Sequence, residues 1–165
     1  MLGLMQDRPL LISSLLEHAA RNHPKSKIVS ARADGSLARH TWPEIAGRAA
    51  QLAHALAARG VGQGERIGTL AWNEHRHLEA YYGISSMGAV LHTLNPRLFP
   101  DQLVFILADA GDTHLLVDPT LWPVVEGIAD RLPPALRAII VMGEAGRSRP
   151  RRSCAARWRS WRRRR

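Results

Sequence analysis

The stretch that decides the fold is Arg66 to Pro100, RIGTLAWNEHRHLEAYYGISSMGAVLHTLNPRLFP. It predicts a strand over Ile67–Trp72, a helix-length connector ending at Gly88, and a second strand over Ala89–Leu94. An abrupt Asn95-Pro96 exit follows. Two strands joined by a crossover of a dozen or more residues pair in parallel. The expected unit is therefore strand–helix–strand, and the rest of the chain either feeds into it or repeats it.

Upstream, Ser14 and Glu17 fit a capping box for a first helix carrying Leu15, Leu16, Ala19 and Ala20 on one face, with Pro24 as its stop. Lys27–Ala31 reads as a strand. Asp34-Gly35 is a turn dipeptide, and Leu37–His40 is the returning hairpin partner. Thr41-Trp42-Pro43-Glu44 is a second helix start, with Thr41 as cap and Glu44 reaching back. Ile45, Ala49, Leu52, Ala53 and Leu56 then recur at helical spacing, and Gly60 is placed to end the helix in a left-handed conformation.

Gly60, Gly62 and Gly64 invite a nucleotide-loop reading, but a dinucleotide loop follows a strand and opens a helix. These glycines follow a helix and open a strand, so they read as a helix end and a tight turn.

Downstream, Pro100-Asp101-Gln102 starts a helix with the stripe Leu103, Ile106, Leu107 and Ala110, ended by Gly111. Thr113–Val117 is a strand, Pro119–Leu132 is mostly helical with a restart at Pro123, and Pro133-Pro134 breaks it. Ala138–Met142 is a buried-type strand. Strands alternating with helices predict an α/β layered fold with a mostly parallel sheet and flanking helices.

A chain of 165 residues with 45 % hydrophobic content is long enough to bury a core. No apolar run reaches the length of a spanning helix. Met1 to Pro9 shows no signal-peptide pattern, so a cytoplasmic location is expected. The single cysteine, Cys154, excludes an intramolecular disulfide and any multi-cysteine metal site.

The net charge of +9 is not a property of the whole chain. Ten arginines lie between Arg147 and Arg165 with no acid among them; removing those ten leaves −1 for residues 1–146. The expected organisation is a near-neutral domain over 1–144 and an arginine-rich, disordered tail over 145–165. A reading-frame slip in a GC-rich gene would produce such a tail.

The candidates for chemistry are few. His75 and His77 point to different helical faces and make a poor metal pair. His75 and Glu79 share a face, but no third ligand joins them at metal-site spacing. Tyr81, Tyr82 and Met87 read as packing residues, and mid-strand His92 as a hydrogen-bonded structural histidine. There is no G-x-S-x-G elbow and no Walker A loop. From the residues, no catalytic, cofactor-binding or metal-ligating position is assigned.

Three motifs carry a resemblance. His40-Thr41-Trp42-Pro43-Glu44-Ile45, then Gly64-Glu65-Arg66-Ile67-Gly68-Thr69-Leu70-Ala71-Trp72-Asn73, then Gly88-Ala89-Val90-Leu91-His92-Thr93-Leu94-Asn95-Pro96-Arg97-Leu98 follow one another in the order and spacing of AMP-forming fatty-acid–CoA ligases. Residues 10 to about 144 resemble the N-terminal part of that adenylate-forming fold, closest in wording to the medium- and long-chain branch.

Such an enzyme makes an acyl-adenylate from a carboxylate and ATP, with magnesium, then transfers the acyl group to coenzyme A. The resemblance implies scaffold for this part, and in some members a contribution to a homodimer; a homodimer or association with a full-length relative is the expected partnership.

Two departures stand out. Phe99 replaces the usual cap before Pro100. The family's Ser/Thr/Gly-rich phosphate loop, its aromatic-Gly-x-Thr-Glu segment, its ribose-binding aspartate and its C-terminal domain with the catalytic lysine do not follow residue 144. The expectation is thus a truncated ligase, inactive alone, marginally stable, and needing no cofactor by itself; fatty acid, ATP and coenzyme A belong to the intact family. A non-enzymatic protein whose Arg/Trp tail holds nucleic acid or anionic lipid is the alternative, with nucleic acid the less expected partner.

Overall fold

The computed structural model describes residues 3, 7, 9–32 and 34–143. The expectation for 145–165 lies outside them. The described residues form two compact units that interleave in sequence: those up to 65 with 73–91, and 66–72 with those from 92 onward. The strand–helix–strand stretch is shared between them.

The first unit opens with α1 (Ile12–Asn22) and a hairpin of β1 (Lys27–Ala31) and β2 (Leu37–Thr41), paired antiparallel. Asp34 makes the hairpin turn: its Oδ1 accepts both the Ser36 N–H and hydroxyl, and Gly35 sits at φ 80°. Next comes α2 (Trp42–Ala57). Its predicted capping box is present: Glu44 N–H donates to Thr41 Oγ1 at 3.4 Å, and Thr41 N–H donates to Glu44 Oε2 at 2.7 Å. The returned bond is the shorter one, and it helps hold the Glu44 carboxyl below its usual range. Gly60 takes φ 81° after the helix, as its position demands.

The start of α1 differs from expectation. The cap position is Leu11, with no side-chain bond to the helix, and Ser14 lies inside the first turn donating its hydroxyl to the Leu11 carbonyl at 2.6 Å. The hydroxyl thus serves a local carbonyl instead of the orphan amides. Leu15 is 63 % exposed, so the buried stripe of α1 is narrower than the sequence suggests.

Helix α3 (His75–Ser86) packs on α2 with little space between backbones. A Cβ on Gly83 would stand 2.7 Å from the Ala49 carbonyl oxygen. Leu16, Ile45 and Ala49 form the small core here, joined by Ile28, Trp42, Leu78 and Tyr82. The packing reading holds for Tyr82 but not for Tyr81, which is exposed and meets Tyr82 edge-on.

The second unit is built on a four-stranded parallel sheet of β3 (Arg66–Leu70), β4 (Val90–Leu94), β5 (His114–Val117) and β6 (Ala138–Val141), in the order β4-β3-β5-β6. The register pairs Ile67 with His114 and Leu70 with Val117, then His114 with Ala138 and Val117 with Val141. Central β5 is buried throughout, the continuous apolar run expected of a strand covered on both faces. Both sequence-predicted strands of the opening stretch exist, but β3 ends at Leu70 instead of Trp72, and β4 starts at Val90.

Helix α4 (Pro100–Ala110) starts at its predicted proline and ends at Gly111, φ 67°. Phe99 offers no cap, and only the return half of a capping box survives, Phe99 N–H to Gln102 Oε1 at 3.1 Å. The expected helix over Pro119–Leu132 is broken into a 3-10 turn at Pro119–Leu121, the short α5 (Trp122–Gly127), and another 3-10 turn at Ala129–Arg131. Leu121, Val125, Ile128, Leu132 and Leu136 still reach one core with Leu103, Leu107, Leu115 and Val117.

The last strand also departs from its reading. All four β6 residues are half-buried, because β6 has a neighbour on one side only among the described residues.

Candidate functional site

In an open parallel sheet, ligands gather outside the carboxyl ends of the strands, where the connections diverge to opposite sides. Here that point is defined by the strand order. The chain leaves β3 toward β4 on one side, and leaves β5 toward β6 on the other. The switch lies between the carboxyl ends of β3 and β5.

A hydrogen-bonded relay occupies this place. Asp118, just past β5, donates its backbone N–H to the Leu70 carbonyl at 2.9 Å. Its Oδ1 accepts the Thr120 N–H at 2.8 Å and the Thr120 hydroxyl at 2.6 Å. Thr120 Oγ1 in turn accepts the Trp72 indole N–H at 2.9 Å. Asp118 is buried, whereas Trp72 remains partly open to solvent.

The relay fixes the first turn after β5 and holds an indole just past the carboxyl end of β3. The Thr120 hydroxyl is committed to Asp118 on one side and to the indole on the other, so the relay's chemistry is shape and hydrogen bonding. Sequence reasoning assigns none of these residues. The only signal was Trp72 closing a predicted strand, while Asp118 and Thr120 become meaningful once β3 and β5 are adjacent.

At the opposite, amino end of the sheet, His92 Nδ1 lies 2.7 Å from Asp112 Oδ2. Mid-strand His92 therefore has the hydrogen-bonded setting expected of it. Asp112 is fully buried, and burial raises its carboxyl above the usual range, with His92 acting in the opposite direction. A Cβ on Gly68 would stand 3.1 Å from Asp112 Oδ2, which leaves little room for a larger residue.

His75 and Glu79, four apart on α3, are both buried but serve different partners. Glu79 Oε1 accepts Arg48 Nε–H at 2.6 Å, a bond that raises the Arg48 pKa. His75 donates its backbone N–H to Ser30 Oγ at 3.0 Å and stacks on His40. His77 is only half-buried. Among the described residues, no group of three or more His, Cys, Asp or Glu is placed to hold a metal ion, and no helix is long and apolar enough to cross a membrane.

The family model of AMP-binding enzymes matches residues 16–157. The chain belongs to that family. Curated relatives at 42–50 % identity are acyl-CoA ligases. It is 50 % identical over 143 residues to the 3-methylmercaptopropionyl-CoA ligase of Ruegeria lacuscaerulensis, covering 87 % of this chain and 26 % of the relative.

The medium-chain-fatty-acid–CoA ligase of Ectopseudomonas oleovorans is 42 % identical over 142 residues, covering 86 % and 26 %. Among solved structures, the anthranilate CoA ligase AuaEII in complex with anthranoyl-AMP superposes with a TM-score of 0.73 at 27 % identity, covering 84 % of this chain and 27 % of that one. The N-terminal domain of FACL13 from Mycobacterium tuberculosis superposes at 0.74 and 25 % identity, covering 92 % and 36 %. The chain thus spans about a quarter of the length of these curated AMP-binding relatives, and its fold is that of the N-terminal part of adenylate-forming enzymes.

Proposed function

We propose that these residues form the N-terminal scaffold of an AMP-forming acyl-CoA ligase acting on an aliphatic carboxylate. The intact enzyme would couple the carboxylate to ATP as an acyl-adenylate, release pyrophosphate, and pass the acyl group to coenzyme A. The reading rests on one observation above others: identity of 42–50 % to ligases of 3-methylmercaptopropionate, medium-chain and long-chain fatty acids, sustained over 140 residues or more. A cytoplasmic location goes with the proposal, since ATP and coenzyme A are drawn from that pool.

We further propose that the 165 residues do not catalyse the reaction by themselves. Adenylate formation needs donors held against developing phosphate charge. The two lysines, Lys25 and Lys27, fall at the start of the β1–β2 hairpin, and the described residues offer no acidic cluster for magnesium. The relay of Trp72, Thr120 and Asp118 supports a crevice wall without supplying a reacting group.

Two assays test this. The purified chain, given ATP, magnesium, hexanoate or 3-methylthiopropionate, and coenzyme A, is expected to release no pyrophosphate above the protein-free control; turnover would overturn the inactivity. A chimera then replaces the matching segment of a medium-chain ligase with residues 10–143. It should keep kcat/KM within about tenfold of the parent, a loss of no more than about 1.4 kcal/mol of transition-state stabilisation. A soluble chimera that cannot form acyl-adenylate would refute the scaffold role.

A further inference from the structure

The β1–β2 hairpin meets the start of α3 through two histidines. His40 comes from β2 and His75 is the first residue of α3; their ring centroids are 4.6 Å apart with planes inclined by 34°. The Ser30 hydroxyl of β1 accepts the His75 backbone N–H beside them. His75 is 2 % exposed. Its Nδ1, and Nε2 of His40, are buried without a hydrogen-bond partner among the described residues. A proton that charged the His75 ring would be a buried charge with no acceptor at Nδ1.

The surroundings make that charge worse. Arg32 follows β1, Arg48 comes from α2, and Arg76 is the next residue of α3; all three act on His75 in the same direction as His40. The nearby carboxylates are already engaged. Glu79 accepts from Arg48, Glu74 accepts from Arg76 at 2.9 Å, and Glu44 is in the cap of α2. A helix N-terminus also opposes a positive charge on its first residue.

We infer that the contact of His40 with His75 is an acid-labile latch: proton uptake at His75 releases the β1–β2 hairpin from the start of α3. Burial foremost, then the neighbouring positive charges, pushes His75 down to about 4 from an ordinary 6.5. A histidine depressed in the closed state stabilises closure fully above its free pKa, and that contribution is lost as pH falls from about 6.5 toward 4. The hairpin therefore opens on acidification.

Amide hydrogen exchange of the full chain by NMR, corrected for intrinsic rates, tests the latch. Between pH 7 and pH 5, protection at His75 and across the β1–β2 ladder should fall by roughly tenfold or more, with the Leu115, Leu116 and Val117 amides of β5 unchanged. His75→Gln should flatten this pH dependence.

A histidine side-chain titration of the unaltered chain decides the matter without any variant. The latch predicts that the closed form keeps His75 neutral to below pH 5. The inference is overturned if His75 takes up its proton near pH 6.5 with hairpin protection intact. Parallel loss of protection in the hairpin and β5 would overturn it too.

Discussion

The two units are stabilised by different means. The sheet unit has a continuous aliphatic core: Leu115 and Val117 of β5 pack with Leu103 and Leu107 of α4 and with Leu121, Val125 and Ile128 beyond them. The helix–hairpin unit has a small core of Leu16, Ile45 and Ala49, and relies on close backbone approach at Gly83 and on polar pairs such as Arg48–Glu79 and Ser30–His75. Aliphatic burial is non-directional and tolerates adjustment. Close backbone approach and buried polar pairing tolerate much less, because a single misplaced atom leaves a clash or an unmet donor.

Variants can break this contrast. Leu115→Ala empties a site in the sheet core and should cost about 3 kcal/mol, the usual scale for a buried leucine. Guanidinium unfolding would measure it, and a cost below about 1 kcal/mol would mean that the sheet core collapses around the gap. Gly83→Ala adds one methyl group where the nearest atom is the Ala49 carbonyl oxygen. Overpacking against backbone predicts a loss of about 2 kcal/mol, read as faster exchange of the α2 and α3 amides. If α2 shifts freely, the loss will be near zero and the close approach is not a constraint.

Smaller effects sharpen the picture at helix starts. Thr41→Ala removes one half of the α2 capping box and should cost about 1 kcal/mol, visible as a shift in the denaturation midpoint. The opposite sign is expected for Phe99→Ser. Phe99 is 74 % exposed at a cap position, so a serine hydroxyl that reaches the free amides should stabilise α4 by about 0.5 kcal/mol. An unchanged midpoint would show that the Gln102 return bond already meets the need.

Legibility from sequence follows the same division. Strands β1 and β5, the capping box at Thr41 and the glycine stop at Gly111 depend on neighbours within a few residues, and periodicity or cap chemistry reveals them. Ser14 misled because one hydroxyl can serve either the orphan amides or a local carbonyl, and only the path of the preceding chain selects between them. The segment from Pro119 to Leu132 misled because its apolar spacing suits one core face even when the backbone is broken into turns.

The crevice relay was invisible for another reason. Trp72 and Thr120 are 48 residues apart in sequence. Nothing local distinguishes them until β3 and β5 lie side by side.

By itself, then, the sequence determined most element types, their order, and the family motifs at 40–45, 64–73 and 88–98, because these rest on short-range chemistry. The tertiary structure decided which polar groups meet: Arg48 with Glu79, His92 with Asp112, His40 with His75, and Trp72 with Asp118 through Thr120. Each of those pairings needs two elements brought to within hydrogen-bond or ring-contact distance, and one-dimensional spacing carries no record of that distance.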